Sequence, residues 1–130
     1  MRILIADKNR DFLSGYRKLL AADGYETETA FDGTQVLEKA AKGRFDLVLL
    51  SEKLPRIDSA RLTQYFNEED IPAVILSERR EDETREAFAG KQLKIAGVLC
   101  FPFEPQDMRR VIEHFSRRGP GNEIKEGEEG

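Results

Sequence analysis

The side chains with which this chain could do chemistry stand just past a series of short apolar runs. Asp7 and Lys8 follow Ile3-Leu4-Ile5-Ala6, Ser51 follows Leu47-Val48-Leu49-Leu50, Ser77 follows Ala73-Val74-Ile75-Leu76, and Phe101-Pro102 follow Gly97-Val98-Leu99-Cys100. Together they offer a carboxylate, an ammonium, two hydroxyls and an aromatic ring. Serine is a weak nucleophile unless a base activates it, and Asp7 is the one base these positions supply, with Lys8 expected to hold it ionised in an ion pair. A Ser-His-Asp arrangement is missing, because the single histidine, His114, falls in the last amphipathic segment and reads as a surface residue. Cys100 is the single cysteine, so no internal disulfide can form and no Cys/His metal cluster is present. It reads as a reduced strand residue. The turn Asp7-Lys8-Asn9-Arg10-Asp11 contains no glycine and cannot cradle a phosphate as a glycine-rich loop does. The expectation is a protein that is not an enzyme.

The elements that must position these residues follow from periodicity. The runs 2–6, 45–50, 73–76 and 97–101 are strand-length and almost wholly apolar, as strands buried on both faces of a parallel sheet are. Tyr25-Glu26-Thr27-Glu28-Thr29-Ala30 alternates instead and suits an edge strand with one wet face. Between the runs lie helical patterns. Phe12, Tyr16, Leu19 and Leu20 share a face, and Gly24 stops that helix. Asp32 and Gln35 form a capping-box pair, Asp58 is a good N-cap, and Pro105 opens a last helix striped by Met108, Val111, Ile112 and Phe115. The stretch 78–96 is heavily charged and broken by Gly90; it predicts a helix distorted at its C-terminal end, with Ser77 as its cap. Strand and helix alternate five times over, which gives a parallel sheet with helices on both faces. In such a sheet, function gathers at the carboxyl ends of the strands, where the residues above stand.

Composition narrows the function classes. The chain has 130 residues, enough for one domain; 1–118 read as that domain and the Gly/Glu-rich 119–130 as a flexible tail or linker. A formal net charge of −4 is a poor basis for binding nucleic acid. No apolar run approaches the roughly 20 residues of a membrane span, and Asp7 comes too early for a signal peptide. A reducing cytoplasm is the natural location.

The segment Phe45-Asp46-Leu47-Val48-Leu49-Leu50-Ser51-Glu52-Lys53-Leu54-Pro55-Arg56-Ile57-Asp58-Ser59 resembles the central motif of receiver domains of bacterial response regulators, in two-component signal transduction and phosphorelays. Residues 1–7, 71–77 and 101–103 resemble the family's first strand, its fourth strand ending in Thr or Ser, and its Lys-Pro-Phe. The resemblance covers about residues 1–117 and implies a flavodoxin-like (CheY-like) doubly wound sheet of order 2-1-3-4-5. It also implies a cis Phe101–Pro102 bond. Position 51 is where the family carries its phosphoacceptor Asp, position 8 the second of two acids that hold Mg²⁺, and position 101 the lysine that meets the phosphoryl group. This chain has Ser51, Lys8 and Phe101 there, with Ser59 for the motif glycine and Val98 where many members carry a switching aromatic. Asp7 and the Ser77 hydroxyl are kept. Magnesium prefers several oxygen ligands, and a dication and an ammonium about 5 Å apart repel by about 6–7 kcal/mol at an effective dielectric of about 20. No Mg²⁺ and no other cofactor is therefore expected.

The departures imply an atypical pseudo-receiver that acts by phosphorylation-independent protein contact. Its expected partner face, possible also for a homodimer, is the fourth helix, fifth strand and fifth helix. Arg109, Arg110, Glu113, Arg117 and Arg118 give that last helix a mostly basic exterior. A receiver modified on Ser51 by a serine/threonine kinase and a flavodoxin-like nucleotide or flavin binder are the alternatives, the latter weakened by the missing phosphate loop. For single residues plainer roles compete: Ser51 as a small strand-end residue, Lys8 as a solvated charge, Phe101 as packing.

Overall fold

The computed structural model describes residues 1–118, with side chains up to residue 116. Five strands, β1 (Arg2–Ala6), β2 (Glu26–Ala30), β3 (Leu47–Ser51), β4 (Ala73–Ser77) and β5 (Gly97–Cys100), alternate with five helices. The helices are α1 (Arg10–Ala22), α2 (Gly33–Lys42), α3 (Ser59–Glu68), α4 (Glu81–Ala89) and α5 (Pro105–Arg118). All strand pairs are parallel and the sheet order is β2-β1-β3-β4-β5, as the motif resemblance implies.

Side-chain alternation on the strands splits the core into two layers. Leu4, Ala6, Val48, Leu50, Ala73 and Ile75 face α2, α3 and α4, meeting Val36, Leu62, Phe66 and Phe88. Ile3, Ile5, Leu47, Leu49, Val74, Leu76 and Leu99 face α1 and α5, meeting Leu13, Leu20, Met108, Ile112 and Phe115. Each fully buried aliphatic or aromatic side chain contributes about 1.5–3 kcal/mol, so the doubly covered central strands hold the sheet rigid beneath the loops. Strand β2, at the sheet edge, has only Thr27 and Ala30 buried, with Glu28 and Thr29 partly buried and Glu26 exposed.

Helix ends follow the expected capping chemistry with some differences. Asp58 Oδ1 accepts from the Arg61 N–H at 2.9 Å and Asp32 Oδ1 from the Gln35 N–H at 2.8 Å. The return half of the second box is shifted by one residue: Gln35 Oε1 accepts from Phe31 N–H, not from Asp32. Asn9, unremarked in the sequence, caps α1 by accepting from Phe12 N–H at 3.1 Å. Gly24, at φ +91°, takes the left-handed turn that ends this helix.

Helix α4 is shorter than the 78–96 expected. It stops at Ala89, Gln92 turns back at φ +60°, and Leu93 and Ile95 rejoin the core. The charged first turn, Glu81-Asp82-Glu83, suits a helix N-terminus, but no apolar stripe continues past Phe88 to sustain the helix. Ser77 is not its cap, because Arg80 holds that position. His114 is not a surface residue. It is buried, edge-on to Phe115, and its Nε2 has no hydrogen-bond partner. The expected tail, 119–130, lies outside the described residues.

Candidate functional site

The register brings the chemistry-bearing residues to one end of the sheet. Ala6 pairs with Leu50, so Asp7 and Ser51 leave neighbouring strands at the same level; Ser51 pairs with Leu76 and Ser77 with Cys100. Backbone hydrogen bonds continue past the strands, from Glu52 N–H to Leu76 O at 2.9 Å and from Phe101 N–H to Ser77 O at 2.8 Å. A hollow of about 270 Å³ results, lined by Asp7, Lys8, Phe12, Ser51, Glu52 and Phe101 among others. Ser77 lies to its side and faces α4.

Each of these residues has a defined setting. Asp7 is buried and its Oδ1 accepts from Asn9 N–H at 2.8 Å; among the described residues it forms no ion pair with Lys8, contrary to expectation. The reason is local: Lys8 is exposed, and its charge acts on Glu78 across the rim. Ser51 is buried, and its hydroxyl receives only a long contact, 3.4 Å, from Lys53 N–H. No base touches it. Phe101 is partly buried, with its ring 5.5 Å from that of Phe12 and 4.9 Å from that of Phe103, and Tyr16 completes the aromatic group. Burial raises the Tyr16 phenol above its ordinary value, and the charges of Glu104 and Asp107 add to this. The Phe101–Pro102 peptide is cis.

Glu52, which sequence reasoning passed over, is the most heavily engaged residue of the group. Its Oε1 accepts from the Ser77 hydroxyl at 2.8 Å and from Arg79 Nε at 3.3 Å, and its Oε2 pairs with the other end of the same guanidinium. Burial, the largest influence, works to raise its carboxyl. The hydrogen bonds from Arg79 and Ser77 and the charges of Arg79 and Lys53 outweigh it and hold the group below its ordinary value. An acid at a strand end with an arginine two residues past the next strand's serine was the signal available in the sequence. Outside this network, Lys53 Nζ meets Glu78 Oε2 at 2.8 Å in a solvent-exposed pair, so every carboxylate around the hollow already has a donor or a cation. Among the described residues no group of three or more His, Cys, Asp or Glu is placed to hold a metal.

The proposed partner residues are scattered. Arg109 is tied to Asp23 at the end of α1, 2.8 Å away. Arg110 pairs within its own helix with Asp107 at 3.7 Å. Glu113 is exposed on the same helix, while the side chains of Arg117 and Arg118 lie outside the described residues. The α4 surface is acidic, with Glu81, Asp82, Glu83 and Glu86 around Arg85. No helix among the described residues is long and apolar enough to cross a membrane.

A doubly wound five-stranded sheet with its polar residues gathered at the strand ends defines a class of ligand- and signal-handling domains, and the comparisons narrow it. Residues 3–113 match the model of the response regulator receiver domain, and the chain belongs to that family. It is 31% identical over 120 residues to the response regulator MprA of Mycobacterium leprae, covering 91% of this chain and 52% of that protein. It is 26% identical over 131 residues to the alkaline phosphatase synthesis transcriptional regulatory protein PhoP of Bacillus subtilis, covering 98% and 55%. The chain thus spans about half the length of these relatives. Among solved structures it superposes on a two-component response regulator from Clostridium difficile at a TM-score of 0.80, with 20% identity and coverage of 91% of this chain and 97% of that one. The chemotaxis response regulator CheY4 of Vibrio cholerae gives a TM-score of 0.78 at 25% identity, covering 87% and 96%. The first of these, by its low identity, speaks for the fold alone. The chain is therefore a receiver domain of the response-regulator type.

Proposed function

We propose that this receiver domain signals by protein contact without phosphorylation of a strand-end aspartate. The observation that carries the reading is Ser51: the residue at the end of β3 is a buried hydroxyl with no base in contact, where aspartyl phosphorylation needs a carboxylate. The surroundings support it. Asp7 stands at the end of β1 with Lys8, not a second acid, next to it in sequence, and Phe101 packs against Phe12 and Phe103 at the hollow. This donor set does not fit a magnesium ion, which takes several oxygen ligands, because Asp7 already accepts from Asn9 N–H and Glu52 is held by Ser77 and Arg79, and the proposed action requires neither metal nor other cofactor. Burial of Ser51 within a five-residue buried strand argues against its modification by a kinase, which needs an accessible segment.

The partner we infer is a protein, docking on α4, β5 and α5, with a second copy of this chain as one form of it. The acidic first turn of α4 favours a charge-complementary protein surface over nucleic acid. Incubation with acetyl phosphate and Mg²⁺ followed by intact-mass measurement tests the central claim. The mass is expected to stay unchanged; gain of one phosphoryl group overturns the reading.

A further inference from the structure

Three donors of the β4–α4 region converge on one acceptor. Ser77 Oγ lies 2.8 Å from Glu52 Oε1, Arg79 Nε lies 3.3 Å from the same oxygen, and the Arg79 guanidinium also pairs with Oε2. Ser77 is fully buried, and its hydroxyl has two further neighbours: Arg79 N–H donates to it at 3.0 Å and Thr84 Oγ1 stands 2.8 Å away. A hydroxyl has a single proton to give. A carboxylate is the stronger acceptor, so Ser77 gives its proton to Glu52. Thr84 is then free to donate to Arg80 O, 3.0 Å away, or to Ser77. The network therefore runs from the end of β3, through the end of β4, into the first turn of α4. It ties together three elements that meet at the strand ends, the place where a parallel α/β sheet receives ligands.

We propose that Glu52 is a built-in anion: it occupies the Ser77 hydroxyl and the Arg79 guanidinium and so ties the β4–α4 turn to the end of β3 with no external ligand. The inference rests on the reading of the site as unphosphorylated, and it adds how the α4 surface is set. The Glu52 side chain is 18% exposed and Ser77 is buried, so the bond between them is shielded from water, while Arg79, 44% exposed, closes the network on its solvent side. The nearby exposed Lys53–Glu78 pair has no such shielding and is not assigned this role.

Hydrogen exchange of the full chain, wild type against Glu52→Ala, reads the proposal. Amides 78–84 are expected to exchange about tenfold faster or more in the variant, the scale of a lost charge-assisted hydrogen bond, while amides of β1 and β3 stay as they were. Ser77→Ala should loosen the same segment, and the double variant should add no more than about twofold beyond the larger single effect, because both act through one contact. Glu52→Gln keeps the volume and removes the charge, and serves as the readout where truncation costs too much stability. Unchanged exchange at 78–84, or equal acceleration in every strand, overturns the proposal. Phosphoryl labelling of the wild type by acetyl phosphate would count against the unphosphorylated reading and leave the exchange result standing on its own.

Discussion

Phe101→Lys restores the residue that receiver domains carry at this position and should make the protein less stable. Phe101 is partly buried, with ring contacts to Phe12 at 5.5 Å and Phe103 at 4.9 Å. A fully buried phenylalanine contributes about 1.5–3 kcal/mol, so a half-buried one contributes roughly 1 kcal/mol. Each aromatic pair adds about 0.5–1.5 kcal/mol. The aliphatic stem of lysine recovers part of the lost packing. An ion pair with Asp7 would add about 1 kcal/mol at most, and the Asp7 carboxylate already accepts from Asn9 N–H. The net expectation is a loss of about 1–2 kcal/mol, which for a chain of this size lowers Tm by roughly 3–10 °C. Thermal and urea unfolding followed by circular dichroism measure it, with Phe101→Leu as the control that removes the ring without adding charge. If Phe101→Lys melts at or above the wild-type temperature, Phe101 does not pack in the hollow as described.

Ser51→Asp alone should label poorly with acetyl phosphate, while Ser51→Asp with Lys8→Asp and Phe101→Lys should label well, in a strongly non-additive series read by intact mass; efficient labelling of the single variant would refute the role given to Lys8 and Phe101. Gly33→Ala should destabilise by about 2 kcal/mol or more in urea titration, because the new Cβ would stand 2.5 Å from Ile57 Cβ and 2.6 Å from Ile57 O. A gain in stability there would mean that the α2–Ile57 contact is looser than described. Glu52 titrates below its ordinary value of 4.5 in the folded protein, so its contribution is complete above that value and is lost as pH falls through the lower folded one. The stability gap between wild type and Glu52→Gln should accordingly be constant near neutrality and shrink in acid below about pH 4.5; a gap that widens in acid would contradict the sign.

The strands were legible because burial on both faces leaves nearly unbroken apolar runs, and Asp58, Asp32 and Gly24 announced helix ends through chemistry that acts within a few residues. What escaped depends on distance in space. Glu52 meets Ser77 and Arg79 across 25 and 27 positions, which no local pattern encodes, and Ser77 was read as a cap because its nearest helix begins just beyond it. His114 looked like one more polar residue on a charged helix, yet its position beside Phe115 places it on the inner side. Helix α4 was overextended because charged residues with good helix propensity continue to Glu86, while the left-handed turn at Gln92, a residue with no glycine signal, gives no warning.

The strand order also bears on how the chain comes off the ribosome. Most pairings join neighbours about two dozen positions apart, as Arg2 with Glu26, Val48 with Ala73 and Val74 with Gly97; only β1 with β3, Ile3 with Leu47, must bridge a longer gap. Doubling a loop adds only about 0.6 kcal/mol of closure entropy, so the sheet can grow strand by strand in the order of translation. Its two faces are not finished together. The layer over α2, α3 and α4 has all its parts once β5 has emerged, whereas Ile3, Ile5, Leu49 and Leu76 wait for Met108, Ile112 and Phe115 of the last helix. Until those residues leave the exit tunnel that side of the sheet is covered by α1 alone, and a message cut short before α5 would release a product with a partly bare apolar face, a substrate for chaperones and proteases.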